Sequence, residues 1–118
     1  MKKILIIDDD KTTATMLRTL FEMEGLEGVI CSRADQVISD ARREKPDVLL
    51  MDAHLADVDS LDILREIKSD PALRAIPVVT VSGMDRSEEF LPAGAAAFVL
   101  KPFKPVELMA VLKRTIQS

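Results

Sequence analysis

Five short apolar runs, each followed by a longer stretch of helical periodicity, narrow the folds open to this chain more than any other feature. The runs are ILII (4–7), GVICS (28–32), VLLM (48–51), VVTV (78–81) and AFVL (97–100). Each has the length of a strand. Several are apolar without alternation, as parallel strands covered on both faces are. Between the runs, Ala14, Leu17, Leu20 and Phe21 share one helical face, and Gly25 can end that helix. Ala34, Val37, Ile38 and Ala41 follow the i, i+3, i+4, i+7 pattern, and Leu61, Leu64 and Ile67 repeat it after an N-cap at Asp59 or Ser60. Leu108, Val111 and Leu112 mark a last helix with Pro105 in its first turn. The segment MDRSEEFLPAG is the weakest, because Pro92 and Gly94 hold it to about two turns. Five βα units in succession, with right-handed crossovers and helices on both faces, predict an α/β fold. The expected architecture is a flavodoxin-like, doubly wound, five-stranded parallel sheet of order 2-1-3-4-5 with a short fourth helix.

Composition removes several function classes. A chain of 118 residues fits one domain, taken here as 1–118. A net charge of −4 without a Lys/Arg cluster argues against direct binding of nucleic acid. No apolar run approaches the ~20 residues a membrane span requires. The start MKK-ILII imitates a signal peptide until Asp8, Asp9 and Asp10 cut the apolar segment short. Cys31 is the single cysteine, which excludes an internal disulfide and suits a reducing cytoplasm, the expected location.

The chemistry lies at the carboxyl end of each run. Run one ends in Asp8-Asp9-Asp10, run three in Asp52, run four in Ser82 and run five in Lys101-Pro102. Open α/β sheets bind ligands at the carboxyl ends of their strands, near the switch point between strands one and three. If those two strands are neighbours, Asp8, Asp9 and Asp52 converge, with Ser82 and Lys101 closing the other side. Three carboxylates that close cannot all stay ionised without a positive charge among them. An all-oxygen, hard-ligand site with room for water suits Mg²⁺, with Mn²⁺ as a substitute. Lys101 adds a second positive charge, and the pocket would stabilise charge developing on a phosphoryl group. Each element has a plainer reading by itself: an acidic triplet as a solvated turn with an N-cap, a lone Asp as a cap, KPF as a helix start. Their joint order on four strands is the specific signal.

With ILIIDDD, PDVLLMDAHL, IPVVTVSG and GAAAFVLKPF in this order, the chain resembles a response-regulator receiver domain of two-component signalling along essentially its whole length. The resemblance implies that Asp52 is the phosphoacceptor, taking a phosphoryl group from phosphohistidine on a sensor histidine kinase or from a small acyl phosphate. It assigns Asp8 and Asp9 to the acidic pair that holds Mg²⁺, Asp9 ahead of Asp8 as the direct ligand, with the backbone carbonyl of His54 completing the set. Ser82 stands where the family has the Thr or Ser that hydrogen-bonds the phosphoryl group. Lys101 matches the Lys that pairs with acceptor and phosphate, and Phe98 the aromatic switch. Lys101–Pro102 is a candidate cis bond. The implied function is a signalling switch rather than an enzyme, one that assists its own phosphorylation and dephosphorylation. Its partners would be a kinase or phosphotransfer protein and an output partner or missing output domain; neither nucleic acid nor membrane is a direct ligand.

Departures from the family pattern are local. Ala56 and Ser60 stand where Pro and Gly are usual, which should loosen the loop after Asp52 and, if the Gly serves a special backbone angle, strain Ser60. Gly83 replaces a more usual Ala, and Phe98 lacks a Tyr hydroxyl. His54 is the single His and has no partner for a zinc site, so its side chain is expected at the pocket mouth. Ser82 and Lys101 lie 19 positions apart, fewer than is usual, and the shortfall falls in helix four. That helix is expected to be the least protected part of the resting domain, its apolar content being chiefly Phe90 and Leu91. Two rivals remain. A pseudo-receiver would dock without phosphorylation, but such a module has no need of this charge cluster. A dehalogenase-like phosphatase would place its nucleophile in a D-x-D pattern after strand one.

Overall fold

The run Ile4–Ile7 forms the centre of β1 (Lys3–Ile7), and all four of its apolar side chains are fully buried. Burial of adjacent residues, which point to opposite sides of a pleated sheet, requires cover on both faces. The computed structural model describes residues 1–117 and supplies that cover. β1 is joined by β2 (Glu27–Cys31), β3 (Val48–Asp52), β4 (Val78–Ser82) and β5 (Ala97–Leu100). All pair in parallel in the order β2-β1-β3-β4-β5, the order the sequence predicts.

Among the described residues, five α-helices pack on the two faces. On one side α1 (Lys11–Met23) and α5 (Pro105–Gln117) bury Leu17, Phe21, Leu108 and Leu112 against Ile4, Ile6 and Val79. On the other, α2 (Val37–Glu44), α3 (Ser60–Ser69) and α4 (Ser87–Phe90) bury Val37, Leu64, Ile67 and Phe90 against Leu5, Ile7 and Val78. Thr80 is fully buried, and its hydroxyl has no hydrogen-bond partner among the described residues. Gly25 adopts a left-handed φ of +78° directly after the α1 C-cap Glu24, the conformation that stops a helix and that glycine tolerates best.

Four boundaries or assignments differ from expectation. β2 begins at Glu27, whose N–H donates to the Lys2 carbonyl, and ends at Cys31 rather than Ser32. Ala34 lies in a 3₁₀ turn (Ala34–Gln36) that leads into α2, so only Val37 and Ala41 of the predicted face are fully buried. α4 is a single turn, not two, and Leu91 is 45% exposed, leaving Phe90 as its one buried residue. Ser60 is the first residue of α3 and carries no positive φ. The unusual backbone is at Ala56 instead (φ +51°), in a small hairpin pairing His54–Leu55 with Val58–Asp59.

Register aligns the carboxyl ends. Ile7 pairs with both Cys31 and Met51, Asp52 with Val81, and Ser82 with Leu100. Asp8, Asp52, Ser82 and Lys101 therefore emerge along one edge of the sheet.

Candidate functional site at the carboxyl ends of the strands

The three consecutive acids after β1 separate into three environments. Asp10 is an N-cap: its carboxylate accepts the N–H of Thr12 (3.0 Å) and of Thr13 (3.4 Å) and the Thr13 hydroxyl (3.0 Å). The Thr13 hydroxyl above all, with these backbone bonds, holds its carboxyl below the usual carboxylate range. Asp8 is buried, and Oδ1 accepts the Asp10 N–H at 2.9 Å. Burial pushes its carboxyl above the usual value, and the charges of Asp52 and Asp9 push further against the Asp10 N–H and Lys101. Asp9 is exposed, and its Oδ2 accepts the N–H of Ala56 at 2.9 Å.

Asp52 has both oxygens engaged. Oδ1 accepts the His54 N–H at 2.8 Å and Oδ2 accepts from Lys101 Nζ at 2.8 Å. The ion pair is half-sheltered, with side-chain exposures of 13% for Asp52 and 35% for Lys101. Lys101 is placed by the Ser82 carbonyl, which accepts its N–H at 2.7 Å, and it precedes a cis peptide bond to Pro102. Ser82 is buried at the end of β4, where its Oγ accepts the Met84 N–H at 3.1 Å, so the hydroxyl is turned to its own loop. Phe98 lies on the α3–α4 face of β5, its ring 5.8 Å from that of Phe90 and tilted by 50°.

The hairpin explains how the His54 carbonyl is left free. Ala53 O accepts the Ser60 N–H, and antiparallel pairs alternate between bonded and non-bonded, so His54–Asp59 is a non-bonded pair. The His54 N–H turns to Asp52, and the non-bonded register gives its carbonyl no ladder partner among the described residues. The His54 side chain is exposed at the mouth.

A hard divalent cation fits these donors: an exposed carboxylate at Asp9, a buried one at Asp8 whose ionisation is opposed first by burial and then by the charges of Asp52 and Asp9, Asp52 itself, and the carbonyl of His54. Among the described residues no three His, Cys, Asp or Glu side chains form a ready-made cage. A cation here would lean on the carbonyl and on water, as Mg²⁺ commonly does.

Two contacts carry no sequence signal of their own. Arg86 is 12% exposed at its side chain and makes a forked pair with Asp59 (3.1 and 3.0 Å) and with Glu89 (2.9 and 3.1 Å). Its guanidinium also sits 5.0 Å over the Phe90 ring. Arg86 and Asp59 stand 27 positions apart and meet only through the fold. The Ala56–Asp9 bond spans 47 positions; its one hint is a residue with an N–H where Pro is usual.

Residues 4–113 match the family described as "Response regulator receiver domain". Among curated relatives, the DNA-binding response regulator MtrA of Mycolicibacterium smegmatis is 29% identical over 98% of this chain and 51% of its own length. The polar-differentiation response regulator DivK of Brucella anthropi is 30% identical over 95% of this chain and 94% of its own. The chain thus spans about half the length of the MtrA relatives and nearly all of DivK. Among solved structures, a CheY-like receiver domain protein of Methanospirillum hungatei superposes with a TM-score of 0.90 at 28% identity, covering 99% of this chain and 94% of that one. The receiver domain of sensor histidine kinase PA1611 of Pseudomonas aeruginosa, described with magnesium in its active site cleft, gives 0.88 at 28% identity, covering 99% and 98%. Sequence, topology and the arrangement around Asp52 lead to one assignment: the chain belongs to the response regulator receiver domain family of two-component signalling.

Proposed function

We propose that this domain accepts a phosphoryl group on Asp52 from a sensor histidine kinase, a phosphotransfer protein or a small acyl phosphate. The observation that carries the reading is the state of the Asp52 carboxylate. Lys101 and the His54 amide fix its orientation, and the buried Asp8 carboxyl is close enough to feel its charge and that of Asp9. An Asp52 oxygen attacks phosphorus while the bond from phosphorus to the donor imidazole nitrogen breaks; the electron pair of that bond stays on the nitrogen, and the ring, protonated on its other nitrogen, leaves as neutral imidazole. Lys101 Nζ, already on Oδ2, follows the new charge to a phosphoryl oxygen, which removes a hydrogen bond from the resting carboxylate. Ser82 exchanges the Met84 N–H for the phosphoryl group by rotating about its Cα–Cβ bond. Asp8, Asp9, Asp52 and the His54 carbonyl would hold Mg²⁺ or Mn²⁺, which neutralises charge on the transferring group. Phe98 and the α4–β5–α5 face would pass the change to an output partner or output domain in the cytoplasm.

The test is incubation with acetyl phosphate and Mg²⁺. One phosphoryl group should be added, labile to hydroxylamine, and Asp52→Asn should abolish it. Lys101→Ala should still be labelled but lose the conformational response. A label that persists in Asp52→Asn overturns the assignment, and an unlabelled wild-type protein favours a docking module instead.

A further inference from the structure

The geometry points to Ala56 as a positioning residue for Asp9, its backbone amide holding one oxygen of a carboxylate that would bind the cation. This deepens the proposed function and rests on its assignment of Asp9 to the metal.

Ala56 is the first of two turn residues closing the hairpin, between the paired Leu55 and Val58. Its φ of +51° is a left-handed conformation that glycine adopts more readily than alanine. An amide at this place takes no part in the ladder and would ordinarily face water. Here it donates to Asp9 Oδ2 at 2.9 Å, and among the described residues this is the one hydrogen bond to that carboxylate. A free, exposed aspartate samples several rotamers; one tied to the hairpin is held in a single orientation.

The bond leaves ligand capacity intact. A carboxylate has about four lone-pair positions, so Oδ1 and the second lone pair of Oδ2 remain open. Donors that orient a ligand from behind set affinity, and removing one commonly lowers it 10- to 100-fold. The hairpin also carries the His54 carbonyl. Were Asp9 and that carbonyl both to hold the cation, the hairpin would be tied to the site in two ways, through its own carbonyl and through the Ala56 amide on Asp9. Linkage is reciprocal: a hairpin that strengthens cation binding is itself ordered by the cation, by the same factor.

Mn²⁺ titration followed by electron paramagnetic resonance tests this on three proteins. Ala56→Pro removes the N–H and cannot adopt the positive φ, and should weaken Mn²⁺ binding about tenfold. Ala56→Gly keeps the amide and should bind at least as tightly as wild type. Hydrogen exchange of the Ala56 amide gives a second readout that does not depend on the proline variant folding. The amide should be protected in the metal-free wild type, lose protection in Asp9→Ala, and gain protection in wild type as Mg²⁺ is added. Wild-type affinity in a folded Ala56→Pro, or Ala56 exchange indifferent to Asp9→Ala, overturns the inference while leaving the metal site standing. Failure of the wild type to bind Mn²⁺ overturns both.

Discussion

The connections leaving β3 and β4 start side by side on one sheet edge, yet one leads to a helix of ten residues and the other to a helix of four. After β3, local sequence does most of the work. Asp59 caps α3 by accepting the Leu61 N–H, Asp62 lies in the first turn and Lys68 in the last, and Ser60, Leu61, Ile63, Leu64 and Ile67 are buried. After β4, the capping position holds Arg86, which makes no side-chain capping bond, and Pro92 comes within two residues of the helix end. One helical turn has no stability of its own. α4 is held from outside, by Phe90 buried against Phe98 and by Arg86 reaching to Asp59. The pair makes one helix a support for the other: Asp59 caps α3 with Oδ1 and anchors α4 through both oxygens. A helix formed by its own sequence resists change, whereas one formed by tertiary contacts can be released when those contacts move. The second kind lies next to Ser82 and Phe98.

Phe90→Ala should break the comparison most strongly. Truncating a fully buried Phe costs about 3–5 kcal/mol, and here it removes the one buried residue of α4. Urea denaturation should show the loss. Hydrogen exchange should show residues 84–92 losing protection well ahead of 61–67, and equal loss in both segments would mean that α4 is not separately held.

Arg86→Ala should act less. Its partners Asp59 and Glu89 are about half exposed, so the ion pairs are screened and the loss should be about 1 kcal/mol. The distinguishing outcome is its location: protection should fall in α4 while α3 keeps its cap. Asp59→Ala should weaken both helices, the α3 cap by itself being worth about 1 kcal/mol. An Arg86→Ala effect confined to α3 would contradict the direction of support.

Acidification should have the mildest effect. The Arg86 guanidinium holds the Glu89 carboxyl below its usual range, and the Ser87 hydroxyl does the same for Asp85. Depressed folded-state values mean that these groups stabilise the fold above about pH 4 and lose that contribution as pH falls through the lower folded values. Exchange protection factors in α4 should therefore decline between about pH 5 and 3. Unchanged protection across that range would show that the apolar anchor alone suffices.

Much of this molecule was legible because the signals are local. The five apolar runs and their helical intervals pointed to a parallel sheet covered on both faces, since burial on both faces demands unbroken apolar strands and parallel strands demand crossovers; the order of the strands was the natural flavodoxin-like choice, and the pairings decided it. The placement of Asp8, Asp9, Asp52, Ser82 and Lys101 after those runs put them on one edge without knowledge of a single contact. What stayed hidden depends on partners the chain brings together from afar. α4 is one turn rather than two because its order comes from Phe98 and Asp59, not from its own periodicity. Ser60 turned out to be an ordinary helix start, while the left-handed residue is Ala56, whose conformation is decided by closure of a hairpin too short to show a pattern. Asp10 caps a helix through donors only two and three residues away, a local reading the sequence already offered, whereas Asp9 became the tethered acid because the N–H of Ala56, 47 positions on, faces it in the folded chain. Periodicity and composition report how a segment will bury itself. Which distant donor meets which carboxylate is settled only when the strands have taken their register.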